Sequence, residues 1–157
     1  MNFRPKIRIG VIGGAQPTKT SRQQAYRVGQ LIAEKGAVLV CGGLKGTMEA
    51  AAKGAKQKGG LTIGILPGEN PGDANPYIEV AVATGIGYSR NALVVMNADV
   101  LIAVGGHYGT LSEIAYALIQ KKKVIGIGTW DIPGVIPINT PEEAVDEALK
   151  EFYPLLR

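Results

Sequence analysis

The 157 residues are one domain's worth of chain, and 46% apolar against 19% charged residues describe a globular protein with a core, not a disordered one. The net charge of +4 is mild and carries no stripe of Lys and Arg with interleaved aromatics, so no nucleic-acid partner is expected, while small anionic ligands suit it. One cysteine and one histidine exclude an intrachain disulfide and a Cys/His metal cluster, and no run approaches the ~18 apolar residues of a membrane span; a reduced cytoplasmic setting without membrane partners is expected.

The elements alternate along the chain. Ile7–Ile12 is short, β-branched and apolar on nearly every residue, as a parallel strand covered on both faces must be. The apolar run after the first basic residues therefore reads as a first strand, not as a signal peptide. Gly13–Gly14–Ala15 turns the chain, Thr20 or Ser21 caps a helix through about Lys35, and Gly36 stops it. Ala37–Cys41 is the second strand, with Cys41 as a small core residue. Gly42–Gly46 leads into an alanine-rich helix, roughly Thr47–Lys58.

Leu61–Leu66 is the third strand, followed by the Pro/Gly/Asn-rich loop Pro67–Pro76 and a short strand over Tyr77–Val82. A helix beginning at Ser89–Arg90 carries Leu93 to Met96 consecutively; apolar on several faces, it points to a subunit interface and a homodimer or homotetramer. It runs into the strand Val100–Val104, the glycine turn Gly105–Gly109 and a helix from Thr110 with Glu113 in its first turn. Leu111, Ile114, Ala115, Leu118 and Ile119 share one face of that helix, and Lys121–Lys123 closes it. Val124–Ile127 is a strand and Trp130–Ile138 a loop. Thr140-Pro141-Glu142-Glu143 starts the last helix, which runs to about Tyr153. Strand and helix alternating throughout mean a single α/β domain over residues 1–157, a Rossmann-like, doubly wound parallel sheet with helices on both faces.

Three strands end in glycine turns: Gly13 and Gly14, Gly42, Gly43 and Gly46, and Gly105, Gly106 and Gly109. A helix that opens just past a parallel strand points free backbone N–H groups and a partial positive charge into a crevice, where α/β proteins hold phosphates. None of the turns matches G-x-G-x-x-G, no acidic residue ends the second strand to hold a ribose, and G-x-x-x-x-G-K-[ST] is absent; dinucleotide oxidoreductase and P-loop triphosphatase readings are set aside.

Arg90 lies in the first turn of a helix, against the positive dipole end, and either points into water or is offset by a carboxylate such as Glu113 or by a bound anion. Thr110-x-x-Glu113 has capping-box spacing, as has Thr140-x-x-Glu143, so Glu113 either caps or faces the ligand. Lys45 in the second turn either reaches a phosphate or is solvated. His107 has no visible carboxylate partner that would make it a catalytic base, and Tyr108 is placed to stack on a base.

Gly42-Gly43-x-x-Gly46-x-Met48, Arg90, Ala98-Asp99 and Gly109-Thr110-x-x-Glu113 together resemble the Lonely Guy family of cytokinin riboside 5′-monophosphate phosphoribohydrolases, over about Ile7 to Ile127. His107 stands where that pattern has a glycine, and Asn91 where it usually has lysine. Asn75-Pro76-Tyr77, Thr84-Gly85 and the short chain look more like the compact branch that includes molybdenum cofactor carrier proteins. The resemblance implies catalytic roles for Arg90 and Glu113 in hydrolysing the N-glycosidic bond of a nucleoside 5′-monophosphate, with the glycine turns and Thr110 on the phosphate. The carrier branch implies a nucleotide or molybdopterin-type ligand held without chemistry. No metal or redox cofactor is required on either reading.

Overall fold

Strands of three to six residues, five of them buried along most of their length, can satisfy their backbone only by pairing inside a covered sheet. The computed structural model, which describes residues 6–155, shows that sheet. It contains β1 (Arg8–Gly13), β2 (Val38–Cys41), β3 (Thr62–Leu66), β4 (Val80–Ala83), β5 (Val100–Val104), β6 (Val124–Ile127) and β7 (Val135–Pro137). All pairings are parallel, in the order β4-β3-β2-β1-β5-β6-β7. The expected α/β doubly wound class is borne out. Residues 1–5 and 156–157 of the expected domain lie outside the described residues.

Helices α1 (Lys19–Glu34), α2 (Thr47–Gln57) and α5 (Pro141–Leu149) cover one face, and α3 (Arg90–Met96) and α4 (Tyr108–Ile119) the other. Ile9, Val11, Leu39 and Ile102 fill the first core layer; Ile12, Val40, Leu101 and Ile114 fill the second. Strand order reverses between β1 and β5, which pair from Ile9↔Val100 to Gly13↔Val104. The crevice outside their carboxyl ends is the topological switch point, where open α/β sheets take ligands.

Several boundaries differ from the sequence reading, each for a local reason. Thr18, not Thr20 or Ser21, caps α1, accepting from the Ser21 amide. Gly36, at φ 74°, ends it as expected. The fourth strand is shifted to Val80–Ala83, because Asn75 and Thr62 hold Tyr77 to Glu79 in a turn. The Trp130–Ile138 loop contains edge strand β7, which ends on a proline, a residue an edge tolerates. The last helix is α only to Leu149 and continues as 3-10 over Lys150–Leu155; Thr140 caps it through the Glu143 amide.

Helix α4 opens at Tyr108, not at Thr110, so Glu113 lies beyond its first turn and Thr110-x-x-Glu113 is not a capping box. Its inward face is Thr110, Glu113, Ile114 and Ala117, whereas Ala115 and Ile119 are exposed. Lys121, at φ 56°, and Lys122 close α4 through backbone N–H bonds to the Leu118 and Ala117 carbonyls, while the Lys122 side chain donates to the Val95, Met96 and Ala98 carbonyls and so caps α3. Helix α3 buries Val94 and Val95, leaves Met96 exposed, and places Leu93 in a shallow surface cavity with the exposed Val80 and Val82 of β4. No helix among the described residues is long and apolar enough to cross a membrane.

Candidate functional site

The three glycine turns converge at the switch point. A Cβ on Gly13 would come within 2.6 Å of the Val104 carbonyl oxygen, and one on Gly14 within 3.7 Å of the Gly106 Cα. Thr47 donates its backbone N–H to the Gly14 carbonyl at 3.0 Å, joining the first turn to the second. Gly46, at φ 78°, is packed on the backbone of Gly14 and Ala15. Gly42 and Gly43 are buried, one beneath Arg90 and Met48, the other against Leu66 and Gly64; their lack of a side chain serves packing. Lys45 is exposed at the rim.

The third turn is shaped differently. Gly105 and Gly106 have φ of 57° and 110°, left-handed conformations that favour glycine, and His107 is the extended N-cap of α4 with no side-chain cap. Among the described residues, no backbone N–H from Gly106 through Thr110 donates to a backbone or side-chain partner; the first helical bond runs from Leu111 to the His107 carbonyl. The Thr110 hydroxyl is buried with no hydrogen-bond partner. A row of free donors at a helix start, with a buried hydroxyl behind it, is arranged for an anion.

Residues outside the glycine turns hold them in shape. Asn75 donates its amide N–H to the Gly43 carbonyl at 2.9 Å and its side chain to Gly43 and Leu44 at 3.3 and 2.8 Å. Thr129 Oγ1 donates to the Gly105 carbonyl at 2.6 Å and Trp130 Nε1 to the His107 carbonyl at 3.1 Å. With its carbonyls engaged from the β6–β7 loop, the third turn keeps its N–H groups for the crevice. The sequence reading gave none of these residues a part in the turns, because donors on distant loops have no spacing signal.

Arg90 is almost wholly buried, with its guanidinium on protein carbonyls: Nε donates to Ile65 at 2.8 Å and Nη2 to Gly42 at 3.3 Å. Nη1 donates to Asn91 Oδ1, and the Asn91 amide reaches Ser112 Oγ at 3.0 Å and the Gly109 carbonyl at 3.5 Å. Arg90 and Asn91 thus link the ends of β2 and β3 to the first turn of α4. Glu113 was one of the groups expected to offset Arg90, but among the described residues no ion pair joins them. Its fork is already occupied by carbonyls.

Burial is the main influence on both groups. It lowers the pKa of Arg90, which stays a cation. It pushes the Glu113 carboxyl up to about 8, partly offset by the field of Arg90. Cys41, buried nearby, is pushed up to about 12 by burial and remains a thiol. Burial thus leaves a cation at Arg90, shifts Glu113 toward its neutral form, and stands both near the unpaired N–H groups of the third turn. His107, Tyr108 and Gly109 are exposed at its mouth.

Known proteins share this architecture. The family model of the SLOG cluster4 family matches residues 6–151. A molybdenum cofactor binding protein from the phototrophic bacterium Rippkaea orientalis has a similar structure: TM-score 0.88 and 41% identity, covering 94% of this chain and 98% of that one. The molybdenum cofactor carrier protein of Chlamydomonas reinhardtii superposes with a TM-score of 0.83 and 33% identity, over 93% and 99% of the two chains. A probable cytokinin riboside 5′-monophosphate phosphoribohydrolase of Oryza sativa subsp. japonica is 31% identical over 119 residues, 68% of this chain and 46% of the relative, so the chain spans less than half of that protein. The resemblance read from Gly42–Met48, Arg90 and Gly109–Glu113 is borne out: the chain belongs to the SLOG cluster4 family, a Lonely Guy-like group.

Proposed function

We propose that the crevice between β1 and β5 holds the phosphate of a small molecule and that the chain is a carrier of a molybdenum cofactor-type ligand. The observation that carries this reading is the run of free N–H groups from Gly106 to Thr110, backed by the unpartnered Thr110 hydroxyl. The buried Arg90 cation and the largely neutral Glu113 favour an anion there, and the likeness to two proteins that bind or carry molybdenum cofactor supports the ligand class. The test is to incubate the protein with cofactor released from a molybdenum enzyme, separate free ligand by gel filtration, and quantify retained pterin by fluorescence after oxidation. Retention that Thr110→Val reduces supports the carrier; retention no greater than on a control protein rejects it.

A second reading rests on Glu113 alone. A buried carboxyl titrating near neutral pH is suited to giving a proton to the departing base of a nucleoside 5′-monophosphate, or to steadying the oxocarbenium-like sugar. Release of free base from a panel of nucleoside monophosphates, abolished by Glu113→Gln, would establish hydrolysis; no release above that variant's background would reject it for those substrates. The homo-oligomer expected from α3 is proposed for the face with Leu93 and the exposed Val80 and Val82, and sedimentation of Val82→Asp beside the parent tests it.

A further inference from the structure

A cavity of about 300 Å³ opens between α1 and α2, and none of the three glycine turns lines it. Small-molecule sites run from about 300 to 1,000 Å³, so this one suits a small occupant. Ala50 of α2 lines it and is nearly wholly buried. Tyr26 of α1 and Tyr77 line it as half-buried rings packed against the first core layer. The Tyr26 hydroxyl donates to Gln57 Oε1. Tyr77 is held through its backbone: its N–H donates to Asn75 Oδ1 at 3.1 Å, and its carbonyl accepts from Thr62 Oγ1 at 2.6 Å. The charges at this cavity differ from those nearby. Arg27, Glu34, Lys56 and Lys58, on the same two helices or at their ends, all take part in ion pairs. Among the described residues, Arg22 on the α1 wall and Glu49 and Lys53 on the α2 wall take part in none. Lys53 Nζ lies 5.8 Å from the centre of the Tyr77 ring, which engages its charge. Arg22 and Glu49 remain, one charge of each sign on opposite walls.

We propose that this cavity is a second binding site, separate from the crevice, for a small zwitterion with a flat apolar group: an aromatic α-amino acid. Arg22 takes the carboxylate, whose two oxygens match a guanidinium fork. Glu49 takes the ammonium, and Tyr26 and Tyr77 pack on the ring. Opposite charges on facing walls complement a ligand that carries both, whereas a simple anion or cation would meet one like charge. The proposal does not depend on what the crevice holds.

Calorimetry compares phenylalanine with three probes: phenethylamine lacks the carboxylate, N-acetylphenylalanine lacks the ammonium, and alanine lacks the ring. We expect saturable binding of phenylalanine and binding of the other three weaker by roughly tenfold or more. Arg22→Gln should weaken phenylalanine roughly tenfold and leave phenethylamine unchanged. Glu49→Gln should weaken phenylalanine to a similar degree and leave N-acetylphenylalanine unchanged. Both side chains reach solvent and neither belongs to a glycine turn, so the variants are expected to fold. Backbone amide shifts in NMR spectra should change at Tyr26, Ala50 and Lys53 and not from Gly106 to Thr110. No saturable binding of phenylalanine, or binding that neither variant weakens, would overturn the proposal. Alanine or phenethylamine binding as tightly as phenylalanine would overturn it too, since the cavity would not be reading ring and both charges. Shifts confined to Gly106–Thr110 would overturn it by placing the ligand in the crevice.

Discussion

Thr110 packs its side chain so closely against Gly106 that a Cβ on the glycine would overlap the threonine hydroxyl. That hydroxyl is buried without a partner. An unsatisfied buried hydroxyl costs about 1–3 kcal/mol unless a ligand satisfies it. Thr110→Val, of the same shape, is expected to leave the ligand-free protein as stable or about 1 kcal/mol more stable. It should weaken phosphate binding roughly tenfold, as loss of a hydrogen bond to a charged group does. Thermal melts and calorimetric titration with ribose 5-phosphate check both halves. A destabilised variant with full affinity would contradict the assignment.

Glu113 should make stability depend on pH. Its carboxyl has an ordinary value near 4.5 in the unfolded chain and about 8 in the fold. Between those values the native state holds a proton that the unfolded chain has released. Its contribution is complete below pH 4.5 and is lost as the pH rises through 8, at no more than about 1.4 kcal/mol per pH unit. Denaturant unfolding from pH 4.5 to 8.5 is expected to show falling stability in the parent and a flatter profile in Glu113→Gln. Identical slopes would remove Glu113 as the cause.

Gly29 of α1 faces α2 at a point where a Cβ would overlap the Ala51 carbonyl; Gly54 of α2 faces Tyr26 in the same way. In an exposed helix Gly→Ala gains about 1 kcal/mol. Here Gly29→Ala should instead destabilise by about 1–3 kcal/mol, because the two helices must move apart. Urea unfolding measures the sign directly, and stabilisation would show that the helices are not in contact.

Asn75 is buried with its side-chain amide on two carbonyls. Asn75→Ala should cost about 1–3 kcal/mol. Asn75→Asp should cost more at pH 8 than at pH 5, since an ionised carboxylate would face carbonyl oxygens and a protonated one can still donate. Equilibrium unfolding at the two pH values tests the order; an Asp variant as stable as the parent at pH 8 would refute it.

Much of the fold was legible because its signals are local. Short β-branched runs bounded by glycine mark parallel strands, and Gly36 and Thr140 mark a helix end and a helix start at single positions. Boundaries failed where the decision is tertiary. Helix α4 starts before Thr110 because the Gly105–Gly106 conformation and the bonds to Thr129 and Trp130 present Tyr108 to the helix, and no spacing in Thr110-x-x-Glu113 records that.

The amino-acid sequence by itself determined the alternation of elements, the three glycine turns and the family pattern running from Gly42 to Glu113, since each depends on residue type and local spacing. Only the tertiary structure decided what the polar residues do. It turned Arg90 onto the carbonyls of Ile65 and Gly42, left Glu113 outside every ion pair among the described residues, and brought Asn75, Thr129 and Trp130 from distant loops onto the turn carbonyls. Burial and hydrogen-bond choice depend on which segments become neighbours, and that is set where strand order reverses between β1 and β5.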